Sequence, residues 1–116
     1  MIVLSDVFTI SLMLDFYGQL ITEKQYEVLD LYYNNDLSLS EISEQIGITR
    51  QGVYDNIKNG KAVLEKLEEK LGLVKKHLER TEIITDILDC LDKLTVDDGN
   101  KEEMIERIKR DLGRVL

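Results

Sequence analysis

Seven residues within a short stretch carry the most suggestive chemistry in this chain: Thr49, Arg50, Gln51, Tyr54, Asp55, Lys58 and Lys61. On the helix that Thr49 opens, these side chains could face outward. An arginine can fork onto guanine or a phosphate, and a glutamine can pair with adenine. Lys58 and Lys61 suit phosphate oxygens. Asp55 can accept from a cytosine amine, although it repels phosphate. The set reads as a contact surface for double-stranded DNA. A plainer reading stands beside it. Thr49 caps the helix, Tyr54 packs, Arg50 and Lys58 are solvated, and Asp55 pairs with Lys58 or Arg50 along its own helix.

Other reactive types lack partners. There is one histidine and one cysteine, so neither an internal disulfide nor a catalytic set built on them can be assembled. His77 has no second ligand at metal spacing. Cys90, among Ile87, Leu88 and Leu91, reads as a small buried hydrophobe. Asp97, Asp98, Gly99 and Asn100 make too short a loop for calcium. The glycines follow no phosphate-loop spacing. No carboxylate pair stands out as a general acid and base. The expectation is a binding protein and not an enzyme, with no cofactor and no metal.

Charge constrains the partner. Fifteen basic residues against twenty-three acidic ones leave a net charge of -8 over 116 residues, which repels nucleic acid at long range. Residues 49–64 hold Arg50, Lys58 and Lys61 against Asp55, a local charge of +2. Residues 22–64 hold four bases and seven acids, a charge of -3. The local excess falls short of the roughly six to ten phosphate contacts of a strong site, and a dimer would double it. A second basic cluster, Lys70, Lys75, Lys76, His77 and Arg80, reads as a solvated helix side.

The elements that must position these residues are helical. The chain has no proline, and its apolar residues recur at helical steps. Residues 6–17 carry Val7, Ile10, Leu14 and Tyr17 on one side, widened by Leu12, Met13 and Phe16, with Gly18 as a stop. Thr22 with Gln25 forms a capping box, flanked by Ile21 and Tyr26 at staple positions. That helix carries Val28, Leu29, Tyr32 and Tyr33 and ends at Asn34, Asn35 and Asp36. Ser38 with Glu41 repeats the cap. Leu39, Ile42 and Ile46 then point inward, and Gly47 makes a left-handed stop. Thr49 opens the helix of the polar set, whose apolar seam is Val53, Ile57, Leu64, Leu67 and Leu71. Gly60 interrupts that seam, marking a kink or a close approach by another backbone. Gly72 ends it. Residues 73–94 carry Val74, Leu78, Ile84, Ile87, Leu88, Leu91 and Leu94. A turn at 96–100 leads to a last helix, capped by Asn100 and carrying Met104, Ile105, Ile108, Leu112 and Val115.

Two helices clamped by Ile42, Ile46, Val53 and Ile57 across a glycine corner have helix-turn-helix spacing. The run from Leu37 to Lys58 resembles the fourth region of sigma-70-type factors. It is still more similar to the YlxM family of small bacterial helix-turn-helix proteins, with Thr22 to Gln25, Leu31 to Tyr33 and Arg50 to Lys58 carrying the likeness. The match covers residues 16–73. Asn59, Gly60 and Lys61 depart from it, standing where that family has a more basic stretch.

The expected fold is all-α, with about six helices. A helix-turn-helix module of winged-helix-like or sigma-region-4-like type occupies residues 1–72. A C-terminal helical pair, residues 73–116, packs in the same compact domain and serves for dimerisation. The resemblance implies a role in the signal recognition particle targeting pathway, because the family's gene usually neighbours that of the particle's GTPase. Two functions follow as expectations: a DNA-binding regulator, or an accessory of that GTPase or its RNA that does not bind DNA. A homodimer through residues 73–116 is expected. No apolar run spans a membrane. The opening residues lack a basic stretch and a small-residue cleavage site, which points to the cytoplasm.

Overall fold

Local side-chain chemistry sets the helix ends. In the computed structural model, which describes residues 6–94 and 101–115, α1 spans Asp6–Tyr17 and a 3-10 turn follows at Gly18–Leu20. α2 spans Glu23–Leu29, α3 Leu39–Ile46, α4 Arg50–Leu71, α5 Leu73–Leu94 and α6 Lys101–Val115. There is no strand among the described residues, which agrees with the expected all-helical class and shows no wing. Both capping boxes close: Thr22 Oγ1 accepts from the Gln25 amide while the Gln25 side chain accepts from the Thr22 amide, each at 3.1 Å. Ser38 and Glu41 repeat this pair at the same distances. Each box satisfies donors that the first helical turn leaves open. Gly47 (φ 71°) and Gly72 (φ 62°) are left-handed stops, a conformation that strains any residue carrying a Cβ.

The chain divides into two compact units, Met1–Val74 and Lys75–Leu116. In the first, Ile10, Met13, Leu14 and Tyr17 of α1 are buried, while Val7 and Phe16, expected on the same side, are exposed. Val28 of α2, Ile42 of α3 and Val53 of α4 meet with no solvent exposure, and Leu31, Leu37, Leu39, Ile46, Ile48 and Ile57 pack around them. This knot fixes α3 against α4. α4 is an unbroken helix through Gly60, so the glycine marks a close approach and no kink. A Cβ there would lie 2.8 Å from Leu29 Cδ1 and 3.3 Å from Gln25 Cβ. The approaching groups are side chains of α2, where the sequence had suggested a backbone. A similar reason places Gly18 under Tyr26, whose ring edge would stand 2.6 Å from an added Cβ.

After α2 the helix widens into a π turn at Asp30–Asn34. Asn34 Nδ2 donates to Asp30 Oδ1 at 2.7 Å, and Asp36 adopts φ 56°. At the far end of this unit, Tyr17 Oη donates to Glu68 Oε1 (2.7 Å) and accepts from the Leu73 amide (3.1 Å). Glu68 Oε1 also accepts from the Val74 amide (2.9 Å). Two open donors at the start of α5 are thereby satisfied from α1 and α4. Burial, then the Glu68 hydrogen bond, raises the ionisation range of the Tyr17 phenol.

The second unit contains α6 and α5 from Lys75 onward. Ile87 and Cys90 are buried there, Cys90 at 2% exposure, and so is the charged Asp111 at 6%. Ile84, Leu88 and Leu91, expected on the seam, are exposed, as are Ile105 and Leu112. In the first unit Leu71 is exposed as well. The turn at 96–100 and the Asn100 cap lie outside the described residues.

Asp111 lies against Asp86, which is ion-paired with Arg107, and Arg114 stands 3.5 Å from Asp111 Oδ1. As a carboxylate Asp111 would leave its buried Oδ2 without a donor among the described residues. A proton held between the two carboxyls removes that deficit. The hydrogen bond to Asp86, then burial, raises the Asp111 carboxyl, and the same bond with Arg107 lowers Asp86. A carboxyl raised on folding stabilises at pH values below its unfolded range, and this contribution is lost as pH rises through the folded value. Asp111→Asn keeps a donor toward Asp86 without a titrating proton. It is expected to raise the melting temperature at pH 7, with the gain shrinking as pH falls into the ordinary aspartate range. Thermal melts of both proteins across that range check it.

Candidate nucleic-acid interface

The corner between α3 and α4 is tied on both sides. The Gly47 amide donates to the Ser43 carbonyl (3.0 Å), and the Ser43 hydroxyl donates to the Ile48 carbonyl. Thr49 then caps α4, its Oγ1 accepting from the Gly52 amide at 2.9 Å. On α4, Val53, Gly60 and Leu64 are buried and Ile57 is partly buried. These residues form one stripe at helical spacing, and the opposite side of the helix is turned outward.

Arg50, Gln51, Tyr54, Asp55 and Lys58 are all exposed; by helical spacing Gln51, Asp55 and Lys58 lie on that outward side, and Arg50 and Tyr54 flank the stripe. Tyr54, at 49% exposure, is a surface residue and not a packing one. Thr49 is exposed too, but its hydroxyl is committed to the cap. Lys61 is partly buried and stands 4.0 Å from Glu65, a weak ion pair along the helix. Asp55 takes neither alternative expected from the sequence, Lys58 or Arg50. Its Oδ1 accepts from Gln51 Nε2 at 3.0 Å. The four-residue spacing of a glutamine and an aspartate was the available signal.

Charge around this surface is mixed. The start of α4 exposes Arg50 and Lys58 against Asp55, while α3 beside it exposes Glu41 and Glu44. In the second basic cluster Lys70 belongs to the first unit and Lys75, Lys76, His77 and Arg80 to the second; all five are exposed. No group of histidine, cysteine, aspartate or glutamate side chains among the described residues could hold a metal ion. No described helix is long and apolar enough to cross a membrane.

Residues 4–110 match the model of the family described as "UPF0122: Putative helix-turn-helix protein, YlxM / p13 like". The likeness therefore runs well beyond residues 16–73. A UPF0122 protein of Acetivibrio thermocellus is 50% identical, with 90% of this chain and 97% of that one covered. Another, from Caldanaerobacter subterraneus subsp. tengcongensis, is 52% identical over 74% of each chain. A third, from Desulforamulus reducens, is 40% identical, with 92% and 90% covered. With a folded helix-turn-helix corner, an all-helical architecture and this extent of match, the chain belongs to the UPF0122 family of YlxM/p13-like helix-turn-helix proteins.

Proposed function

We propose that this protein is a cytoplasmic DNA-binding regulator that inserts the start of α4 into the major groove. The observation that supports this most directly is the exposed set Arg50, Gln51, Tyr54, Asp55 and Lys58 on a helix fixed by its buried stripe. In a docked helix-turn-helix, the first turns of the second helix meet base edges. Arg50 then donates to guanine or phosphate, Lys58 and Lys61 neutralise phosphates, and Thr49 holds the helix start in place. The role is one of binding, with no covalent step.

Three cations are few for a strong site. We therefore include in the proposal a homodimer through the second unit, whose exposed Ile84, Leu88, Leu91, Ile105 and Leu112 supply an apolar surface. Sedimentation at tens of micromolar is expected to show dimer, and a monomer alone would remove that part.

The test of DNA binding is fluorescence anisotropy with a pool of genomic duplexes at low and physiological salt. Binding is expected to strengthen steeply as salt falls. Arg50→Ala with Gln51→Ala is expected to weaken it by about 30-fold or more, on the order of 1–3 kcal/mol for each of two base contacts. Unchanged affinity in the double variant would reject α4 as the reading element.

The net charge of -8 favours a second reading. In it the same helix meets a protein or RNA component of the signal recognition particle, as an accessory in protein targeting. A pull-down from native lysate separates the two. Recovery of the particle's GTPase or RNA, without duplex binding at physiological salt, would favour the accessory.

A further inference from the structure

Gln51 and Asp55 stand one helical turn apart, and by helical spacing they lie farthest from the buried stripe Val53, Ile57, Gly60 and Leu64. They are joined by the hydrogen bond from Gln51 Nε2 to Asp55 Oδ1. We infer that Asp55, steadied by Gln51, is a specificity-determining residue that directs α4 toward cytosine in a C·G base pair. The inference rests on the DNA-binding reading above.

The chemistry is a matter of donors and acceptors. Free glutamine is the usual partner of adenine, because its carbonyl accepts from N6 while its amide donates to N7. Here one amide N–H is already given to Asp55. Left to the pair are one Gln51 N–H, the Gln51 carbonyl oxygen and the remaining lone pairs of the Asp55 carboxylate, so acceptors outnumber donors. Guanine presents the acceptors O6 and N7 in the major groove, and thymine presents O4 with a methyl group. A carboxylate is repelled by each of these oxygens. Adenine offers N6–H next to the acceptor N7, so a carboxylate gains one contact and meets one repulsion. Cytosine offers the N4 amine, a donor without an adjacent acceptor on its own major-groove edge.

Arg50, exposed in the first turn of the same helix, supplies a complementary donor for guanine. Arg50 and Asp55 thus offer a donor for guanine and an acceptor for cytosine from one helix. The geometry also gives Asp55 a reason to be retained in a site that approaches phosphates. A carboxylate costs affinity there for every sequence, and recovers it only where an amine meets it. A hydrogen bond between two side chains on a helix surface is weak. Gln51 therefore steadies the carboxylate, and the charge of Asp55 makes the choice between bases.

The experiment is selection from a randomised duplex pool at low salt, followed by sequencing, with the full chain and with its Asp55→Ala and Asp55→Asn variants. Asp55 is exposed, so both are expected to fold, and circular dichroism checks that they do. The wild-type chain is expected to prefer cytosine at one position by about 10- to 100-fold. Both variants are expected to lose that preference while binding the whole pool as tightly as before or more tightly. Adenine is expected to gain at the same position in Asp55→Ala, where Gln51 is released. Enriched sites without a cytosine preference, or a preference that persists in both variants, would overturn the role of Asp55 and leave DNA binding standing. A pool with no enrichment even at low salt would overturn both.

Discussion

Ile42→Ala is expected to lower the stability of the first unit by about 2–5 kcal/mol, the range for emptying a fully buried aliphatic position. Ile42 has 0% exposure and meets Val28 and Val53, which are equally sealed. Whole domains are stable by only about 5–15 kcal/mol, so a loss of this size removes much of what holds the unit together. The site is closed on three sides by α2, α3 and α4, and little can collapse inward to fill the gap. Urea unfolding is expected to show a lower midpoint with an unchanged slope, since the surface exposed on unfolding is nearly the same. The variant reaches function indirectly. It touches no residue of the exposed set, but it frees the corner that presents them. Ile46→Ala, at a partly buried position of the same helix, is expected to cost less. Equal losses at the two positions would contradict the placement of the knot at Ile42.

Replacing Gly60 by valine is expected to destabilise by about 3 kcal/mol, at the upper end of what inserted core volume usually costs. Alanine there is expected to cost less, because about 1 kcal/mol of helix propensity is regained while its single methyl still presses on Leu29 and Gln25. The pressure has a direction, which makes it separable from a general loss of helix. Leu29→Ala is expected to cost about 2–5 kcal/mol in the wild-type background and distinctly less in Gly60→Val, where the new side chain occupies part of the vacated space. A double-mutant cycle reads this as a coupling of about 0.5–3 kcal/mol. Strict additivity would mean that α2 does not lie over this glycine.

These two sites show which parts of the structure were visible beforehand. Helix ends were legible because their causes are local. Thr22 with Gln25, Ser38 with Glu41, Thr49, Gly47 and Gly72 each act within a few residues of themselves. The inward set Ile42, Val53 and Leu64 was legible from periodicity, and the outward set on α4 followed from it. Where a helix is apolar on more than one side, periodicity cannot choose which side is covered. Ile84, Leu88 and Leu91 satisfy the helical spacing as well as Ile87 does, yet they are exposed. Gly60 announced an exception without revealing its cause, because the cause sits on α2. The π turn at Asp30–Asn34 and the left-handed Asp36 appear in the sequence only as a turn-rich end. Asp111 was least visible of all, since a carboxyl becomes acceptable in a buried place only through partners distant in sequence, here Asp86 on α5 beside the nearby Arg114. At the candidate site the residue list was readable, but the bond between Gln51 and Asp55 was not, because Asp55 had two cations within reach on its own helix.

Cys90 gives the second unit a clock of its own. It is the single thiol in 116 residues, and it is sealed beside Ile87 while the first unit contains none. A thiol-specific reagent reaches it only during excursions that part α5 from what covers it. The labelling rate in excess reagent, divided by the rate for an open peptide, then gives the fraction of time that half of the chain stands ajar. Duplex, RNA or a second copy added to the solution would register on this single chemical readout without any engineered label.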